Sequence, residues 1–153
     1  MISQKDATII SHLRNNARKK ITTISKEINI PVTTIYDRVR VNDHKYVKKH
    51  CTLLDFSKLG LYARANIAIK TEKRSRDLMQ KCLMEHPNVN SLSRINLGYD
   101  FLAEVVFKDI ADLNKFTETL GGDYPSSQFQ IFNMIEELKK EDFLTKPEHF
   151  DVL

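Results

Sequence analysis

The sequence predicts an α+β protein of two domains: three short helices, then four strands and two helices in the order β-α-β-β-α-β. Three observations predict it. Residues 1–50 hold 11 Lys/Arg against 4 Asp/Glu, a net +7, whereas residues 51–153 hold 13 against 16, a net −3. Apolar residues recur at helical spacing as far as about Asp43, and alternation takes over from Leu61. Finally, the stripes Ile21–Ile24–Ile28 and Ile35–Val39 are separated by little more than Asn29, Ile30 and Pro31, the tight turn of a helix-turn-helix.

The first helix is predicted over 3–15. Ser3 and Asp6 form a capping box with Ser3 as N-cap, and Ile10, Leu13 and Ala17 supply a buried stripe. The second helix covers 22–28. Asn29 tolerates the left-handed backbone of the turn, Ile30 plugs it, and Pro31 suits a helix start because its missing N–H has no helical partner there. The third helix runs from Val32 to Asp43 with Ile35 and Val39 inward. Thr33, Tyr36, Asp37, Arg40 and Val41 fall on the opposite side, and Thr34 and Arg38 lie nearer the edges of the buried face. The stretch KYVKKHCTLLD that follows is a short basic β-like segment, either a wing or the start of a linker.

In YARANIAIK, Ala65, Ile67 and Ile69 point one way and Arg64, Asn66 and Lys70 the other, a half-buried strand. A helix over 75–86 turns Leu78, Cys82 and Leu83 inward. VNSLSRIN is a second strand, LGYD a turn, and FLAEVVF a third strand with Phe101, Ala103, Val105 and Phe107 on one face. Asp109 caps a helix whose stripe is Leu113, Phe116 and Leu120. Gly121–Ser126 is a loop, and 127–136 a fourth strand with Phe129, Ile131 and Ile135 on one face. This order reads as a ferredoxin-like sandwich. The expected division is a helix-turn-helix domain (1–50, winged if the basic segment pairs), a linker (51–60), the sandwich (61–138) and a tail (139–153).

A basic helix-turn-helix points to double-stranded DNA, because the major groove accepts one α-helix. Thr33, Thr34, Tyr36 and Arg40 are the candidate base readers; Arg40 can donate two bonds to guanine. Arg18, Lys19, Lys20, Arg38, Lys45, Lys48 and Lys49 are the candidate phosphate contacts. Rival readings stand beside these. A basic cluster is most often a solvated face, Arg38 is equally placed for an internal salt bridge, Tyr36 for packing on the first helix, and Asp37 for orienting Arg40 or Lys45.

No apolar run approaches the roughly 20 residues of a membrane span, and MISQKDATII lacks the layout of a signal peptide, so a cytoplasmic protein is expected. Cys51 and Cys82 are read as ordinary thiols. No phosphate loop, HExxH, CxxC or nucleophile elbow occurs, and the five histidines do not cluster in sequence. An enzyme, a cofactor and a metal site are therefore not expected.

The chain resembles the Lrp/AsnC family of transcription regulators. The residues that carry the likeness are Asp6–Ile9–Ile10–Leu13, Asn16-Ala17-Arg18, Ile24 with Ile28-Asn29-Ile30, Thr34-Ile35 and Arg38-Val39-Arg40. Leu59-Gly60, Gly98-Tyr99-Asp100 and Phe107 with Asp112-Leu113 and Phe116 extend it across nearly the whole chain. The resemblance implies an N-terminal DNA-binding domain and a C-terminal sandwich called the RAM domain. It implies a homodimer that can build larger rings such as an octamer, and an amino acid or other small effector, with Gly98, Tyr99 and Asp100 as the effector turn. A plain β-turn is the competing reading of those three residues. The sequence departs from the family pattern at Pro31, where Ser is common, at Asn29 and Tyr46, where Gly is common, and at Leu97, which falls at the usual first Gly of the effector turn. Two further readings are a sirohaem-decarboxylase-like enzyme of the same layout, which the acidic second part disfavours, and an architectural protein that coats DNA.

Overall fold

A computed structural model describes residues 2–146 and 149–150. The chain divides into two compact units. One comprises the residues up to Leu53 together with those from Leu138 onward; the other is Leu54–Glu137.

The first unit is built from α1 (Gln4–Asn15), α2 (Ile21–Ile28) and α3 (Val32–Lys45). The Ser3 hydroxyl caps α1 by accepting the Asp6 N–H at 3.2 Å. Asn29 ends α2 in the left-handed conformation (φ 52°, ψ 47°). There the Ile30 N–H reaches back to the Ser25 carbonyl at 3.2 Å, the bond of a Schellman turn. Pro31 then opens α3 without sacrificing a helical hydrogen bond. Ile9, Ile24 and Ile35, one from each helix, are fully buried, and Leu13, Ile21, Ile28, Ile30 and Val39 pack around them.

Three details differ from the sequence reading. The α1 stripe is Ile9 and Leu13, not Ile10 and Ala17, because α1 ends at Asn15 and Ala17 lies exposed beyond it. The third helix continues two residues further, to Lys45. Among the described residues no strand forms between α3 and the second unit, so the basic segment over 47–55 acts as linker and makes no wing. In the described part of the tail, Arg14 of α1 donates through Nη2 to the Glu141 carboxylate at 2.7 Å and through Nε to the Phe143 carbonyl. Residues 147, 148 and 151–153 of the expected tail lie outside the described residues.

The second unit contains β1 (Ala63–Lys70), α4 (Arg76–Glu85), β2 (Val89–Arg94), β3 (Phe101–Phe107), α5 (Ile110–Asp123) and β4 (Gln128–Asn133). The strands form one antiparallel sheet in the order β2-β3-β1-β4, the ferredoxin-like arrangement. Ala63, Ala65, Ile67 and Ile69 of β1 and Phe101, Ala103, Val105 and Phe107 of β3 pack against Met79 and Leu83 of α4 and Leu113, Phe116 and Leu120 of α5. Asp109 caps α5 by accepting the Asp112 N–H at 3.0 Å. On α4 the inward residues are Met79 and Leu83; Leu78 is exposed and Cys82 half-buried, so the predicted stripe is out by one residue at its start. Helix α5 carries Gly121 and Gly122 in its last turn, and β4 stops at Asn133, which leaves Ile135 in solvent. Among the described residues no helix is long and apolar enough to cross a membrane.

The sheet face away from the helices holds a charge cluster. Arg64 of β1 donates through Nη2 to Glu104 at 2.9 Å and Glu137 at 2.8 Å, and its guanidinium lies over the Phe56 ring, 5.1 Å from its centroid. Arg64 and Glu104 are only 18% and 13% exposed. Burial opposes the Arg64 charge, and the two carboxylates outweigh it, so the pKa of Arg64 is raised.

The β2–β3 turn places consecutive residues at positive φ, Leu97 at 58° and Gly98 at 92°. Glycine adopts this backbone without cost, whereas a leucine's Cβ crowds the carbonyl that follows. Leu97 is 92% exposed and gains no packing in return. Leu97→Gly is therefore expected to stabilise the sandwich by about 1 kcal/mol, read as a higher urea midpoint. An unchanged or lower midpoint would show that the turn stores no strain at Leu97.

Candidate nucleic-acid interface

The third helix offers an outward face in which Thr33, Tyr36 and Arg40 follow one another at i, i+3 and i+7, with Thr34 beside them. All four are exposed, Tyr36 by 60%. None of their side chains has a hydrogen-bond or ion-pair partner among the described residues. Asp37 on the same face is also without one, so it orients neither Arg40 nor Lys45. Tyr36 is not among the residues packed on the isoleucine core.

The expected phosphate set divides into two groups. Arg18, Lys20, Lys45, Lys48 and Lys49 are exposed. The Lys45 ammonium lies 5.1 Å from the centroid of the Tyr46 ring, and the Arg18 backbone N–H donates to the Asn16 side-chain oxygen at 3.0 Å. The other two are engaged inside the unit. Lys19 binds Glu27 and approaches His12 Nδ1 at 3.2 Å. Burial, then the Lys19 charge, holds the His12 pKa below its ordinary value. Arg38 donates through Nη1 to Asp6 at 2.9 Å. The internal salt bridge weighed for Arg38 is thus formed, and its guanidinium ties α3 to α1.

That tie is part of a hub the sequence reading passed over. Asp6 gathers the Ser3 hydroxyl, Arg38 and the side-chain amide of buried Asn42, which donates at 3.3 Å. One carboxylate at the start of α1 therefore fixes two successive turns of α3 and sets the direction in which Thr33, Tyr36 and Arg40 project. A signal was present: Asn42 falls at i+7 from Ile35, so it is a polar residue on the buried stripe, and a buried amide requires a partner. Burial raises the Asp6 pKa, but the hydrogen bonds from Ser3, Arg38 and Asn42 and the Arg38 charge lower it by more, and the net direction is down. A carboxylate depressed in the folded state contributes stability that is fully present above its unfolded pKa and is lost as pH falls through the folded one. Asp6→Asn is expected to cost about 1.5–3 kcal/mol at neutral pH and to flatten the acid limb of the first unit's stability below about pH 4. A variant with the parental acid limb would remove Asp6 from that role.

In the second unit, Gly98, Tyr99 and Asp100 lie in and after the β2–β3 turn. The Asp100 carboxylate is occupied: Oδ2 accepts the Thr71 N–H at 2.9 Å and Oδ1 pairs with Arg76 at 2.6 Å. The Tyr99 hydroxyl donates to Gln130 on β4. The geometry accounts for Asp100 and Tyr99 as turn anchors. Among the described residues no group of three or more His, Cys, Asp or Glu side chains is arranged to hold a metal ion. Cys51 and Cys82 are free thiols.

No protein-family model matches the chain. Its similarity to individual proteins is extensive. An uncharacterised HTH-type transcriptional regulator of Pyrococcus furiosus is 24% identical over 151 residues, 95% of this chain and 99% of that one. The HTH-type transcriptional regulator FL11 of Pyrococcus horikoshii is 24% identical over 121 residues, 78% of this chain and 80% of FL11. Among solved structures, LrpC of B. subtilis matches with a TM-score of 0.82 at 17% identity, covering 91% of this chain and 98% of LrpC. AsnC of E. coli gives 0.80 at 16% identity over 92% and 96% of the two chains. The transcriptional regulator NMB0573 of Neisseria meningitidis, solved as a complex with L-Met, gives 0.83 at 19% identity over 92% and 94%. With a helix-turn-helix unit and a ferredoxin-like unit, the chain has the fold of LrpC and AsnC, and the relatives it resembles along both units are HTH-type transcriptional regulators.

Proposed function

We propose that this protein, a transcription regulator that binds DNA, reads a specific duplex sequence as a homodimer or larger assembly and responds to a small effector. The observation that carries the reading is the outward face of α3. Four side chains able to contact base edges stand exposed and unengaged there, while the Asp6 hub fixes the helix beneath them. Thr33, Thr34, Tyr36 and Arg40 face the bases; Arg18, Lys20, Lys45, Lys48 and Lys49 neutralise phosphates.

The sandwich supports self-association as part of this reading. Its two helices cover one sheet face, and on the other Phe132 is half exposed beside the Arg64 cluster. A second copy would cover that face. Two reading helices per dimer would then favour a site with two half-sites about one helical turn apart. An amino acid is the first effector to test, because NMB0573 was solved with L-Met. At the turn of Gly98, Tyr99 and Asp100 the proposed contribution is main-chain groups, since the Asp100 carboxylate is already engaged. The proposed compartment is the cytoplasm.

The deciding experiment retains fragments of a genomic library on the protein across a salt series and sequences them. Enrichment of paired half-sites is expected; retention without enrichment would replace specific regulation with coating. On an enriched site, Arg40→Ala should lose about 1–3 kcal/mol and relax preference at one base position. The Lys48→Ala and Lys49→Ala pair should weaken all sequences alike and flatten the salt slope. Parental affinity and preference in Arg40→Ala would exclude it as a reader.

A further inference from the structure

We propose that the groove between α4 and the edge strand β2 is a binding site for a small carboxylic acid with an apolar tail. The groove has a volume of about 450 Å³, within the range of small-molecule sites. Its floor is Leu83 and Phe101, both fully buried, with Leu92 on one wall and the exposed Met84 at the rim. Arg94, at the end of β2, supplies a positive charge to this apolar floor.

The guanidinium is held in place by a neutral partner. The Gln80 side-chain carbonyl accepts from Arg94 Nη2 at 2.7 Å and from Nε at 3.2 Å. The Gln80 amide nitrogen reaches Met84 Sδ at 3.7 Å, and the guanidinium carbon lies 5.9 Å from the Phe101 ring centroid. Arg94 has no carboxylate partner among the described residues. An arginine oriented by an amide and unpaired with an acid keeps its charge available and its Nη1 edge free for a planar anion. A carboxylate suits that edge, and the apolar floor of Leu83 and Phe101 suits a hydrocarbon tail beside it. The groove does not include the turn of Gly98, Tyr99 and Asp100.

The test uses the full chain labelled with ¹³C at its methionine methyls, of which there are four, Met1, Met79, Met84 and Met134. The Met84 signal is assigned by its loss in Met84→Leu, and buried Met79 serves as the internal reference. Titration with 4-methylpentanoate is expected to shift Met84 saturably, with half-saturation below about 10 mM. The matching amide, 4-methylpentanamide, should produce no saturable shift at the same concentrations. Arg94→Gln, an exposed substitution, should weaken the carboxylate at least about fivefold. Absence of a saturable shift, an equal response to the amide, or an undiminished response in Arg94→Gln would overturn the proposal. So would a shift that depends on protein concentration alone, which would assign the groove to a second copy of the chain. The Met84 signal reports this groove only, so a negative result leaves the DNA-reading assignment untouched.

Discussion

Ile24→Ala is expected to unfold the DNA-binding unit while leaving the sandwich folded. Ile24 is one of three fully buried isoleucines on which α1, α2 and α3 converge, and the flanking apolar residues are only partly buried. Removing three carbons from so small a core costs about 2–5 kcal/mol, the transfer term plus the cavity left behind. A unit of this size commands only a few kcal/mol in total. Two-dimensional amide NMR would show collapse of the signals from residues up to about 50, with the sheet signals retained, and DNA retention would disappear with them. A variant with dispersed first-unit signals and parental DNA binding would show that the three isoleucines are not its principal support.

The second large effect is electrostatic and belongs to the other unit. Arg64→Met keeps the length of the side chain and removes its charge, leaving Glu104 and Glu137 close together without the cation they share. Breaking a buried ion pair on one side costs about 3–5 kcal/mol. Glu137 is about one-third exposed, so solvent screens part of this loss, and about 2–4 kcal/mol is expected at neutral pH. The deficit should shrink as the medium is acidified and the carboxylates lose their charge. Urea unfolding of parent and variant at neutral and mildly acidic pH measures both statements. A variant as stable as the parent, or a deficit independent of pH, would show that water already compensates the cluster.

Where side-chain period was unambiguous, the sequence located elements well. The third strand, the Asp109 cap and the Leu113, Phe116, Leu120 stripe lie where alternation and i, i+3, i+7 spacing put them. The left-handed Asn29 was legible because few residues other than glycine tolerate that backbone. Errors gathered where two apolar neighbours competed for one inward position. Ile9 against Ile10, and Met79 against Leu78, differ by a single residue of phase, and a short amphipathic stretch does not fix phase to better than that. The wing was illegible for another reason. A strand at the edge of a domain exists only when something pairs with it, and no local composition supplies the pair. Among the interface residues, exposure on α3 followed from helical geometry. The engagement of Lys19 and Arg38 depended on Glu27 and Asp6, placed opposite them by tertiary packing.

The contact of Arg14 with Glu141 and Phe143 makes the DNA-binding unit discontinuous in sequence, with the whole sandwich inserted between its two parts. Such a unit completes itself by closing a loop, and the entropy of closure is set by the freedom of the inserted chain. Once the sandwich is folded, most of that freedom is gone and the tail meets α1 at a higher effective concentration. Folding of the insert therefore promotes completion of the unit that surrounds it. Loosening the sandwich by heat or by mutation would restore that freedom and weaken the hold of the tail on α1.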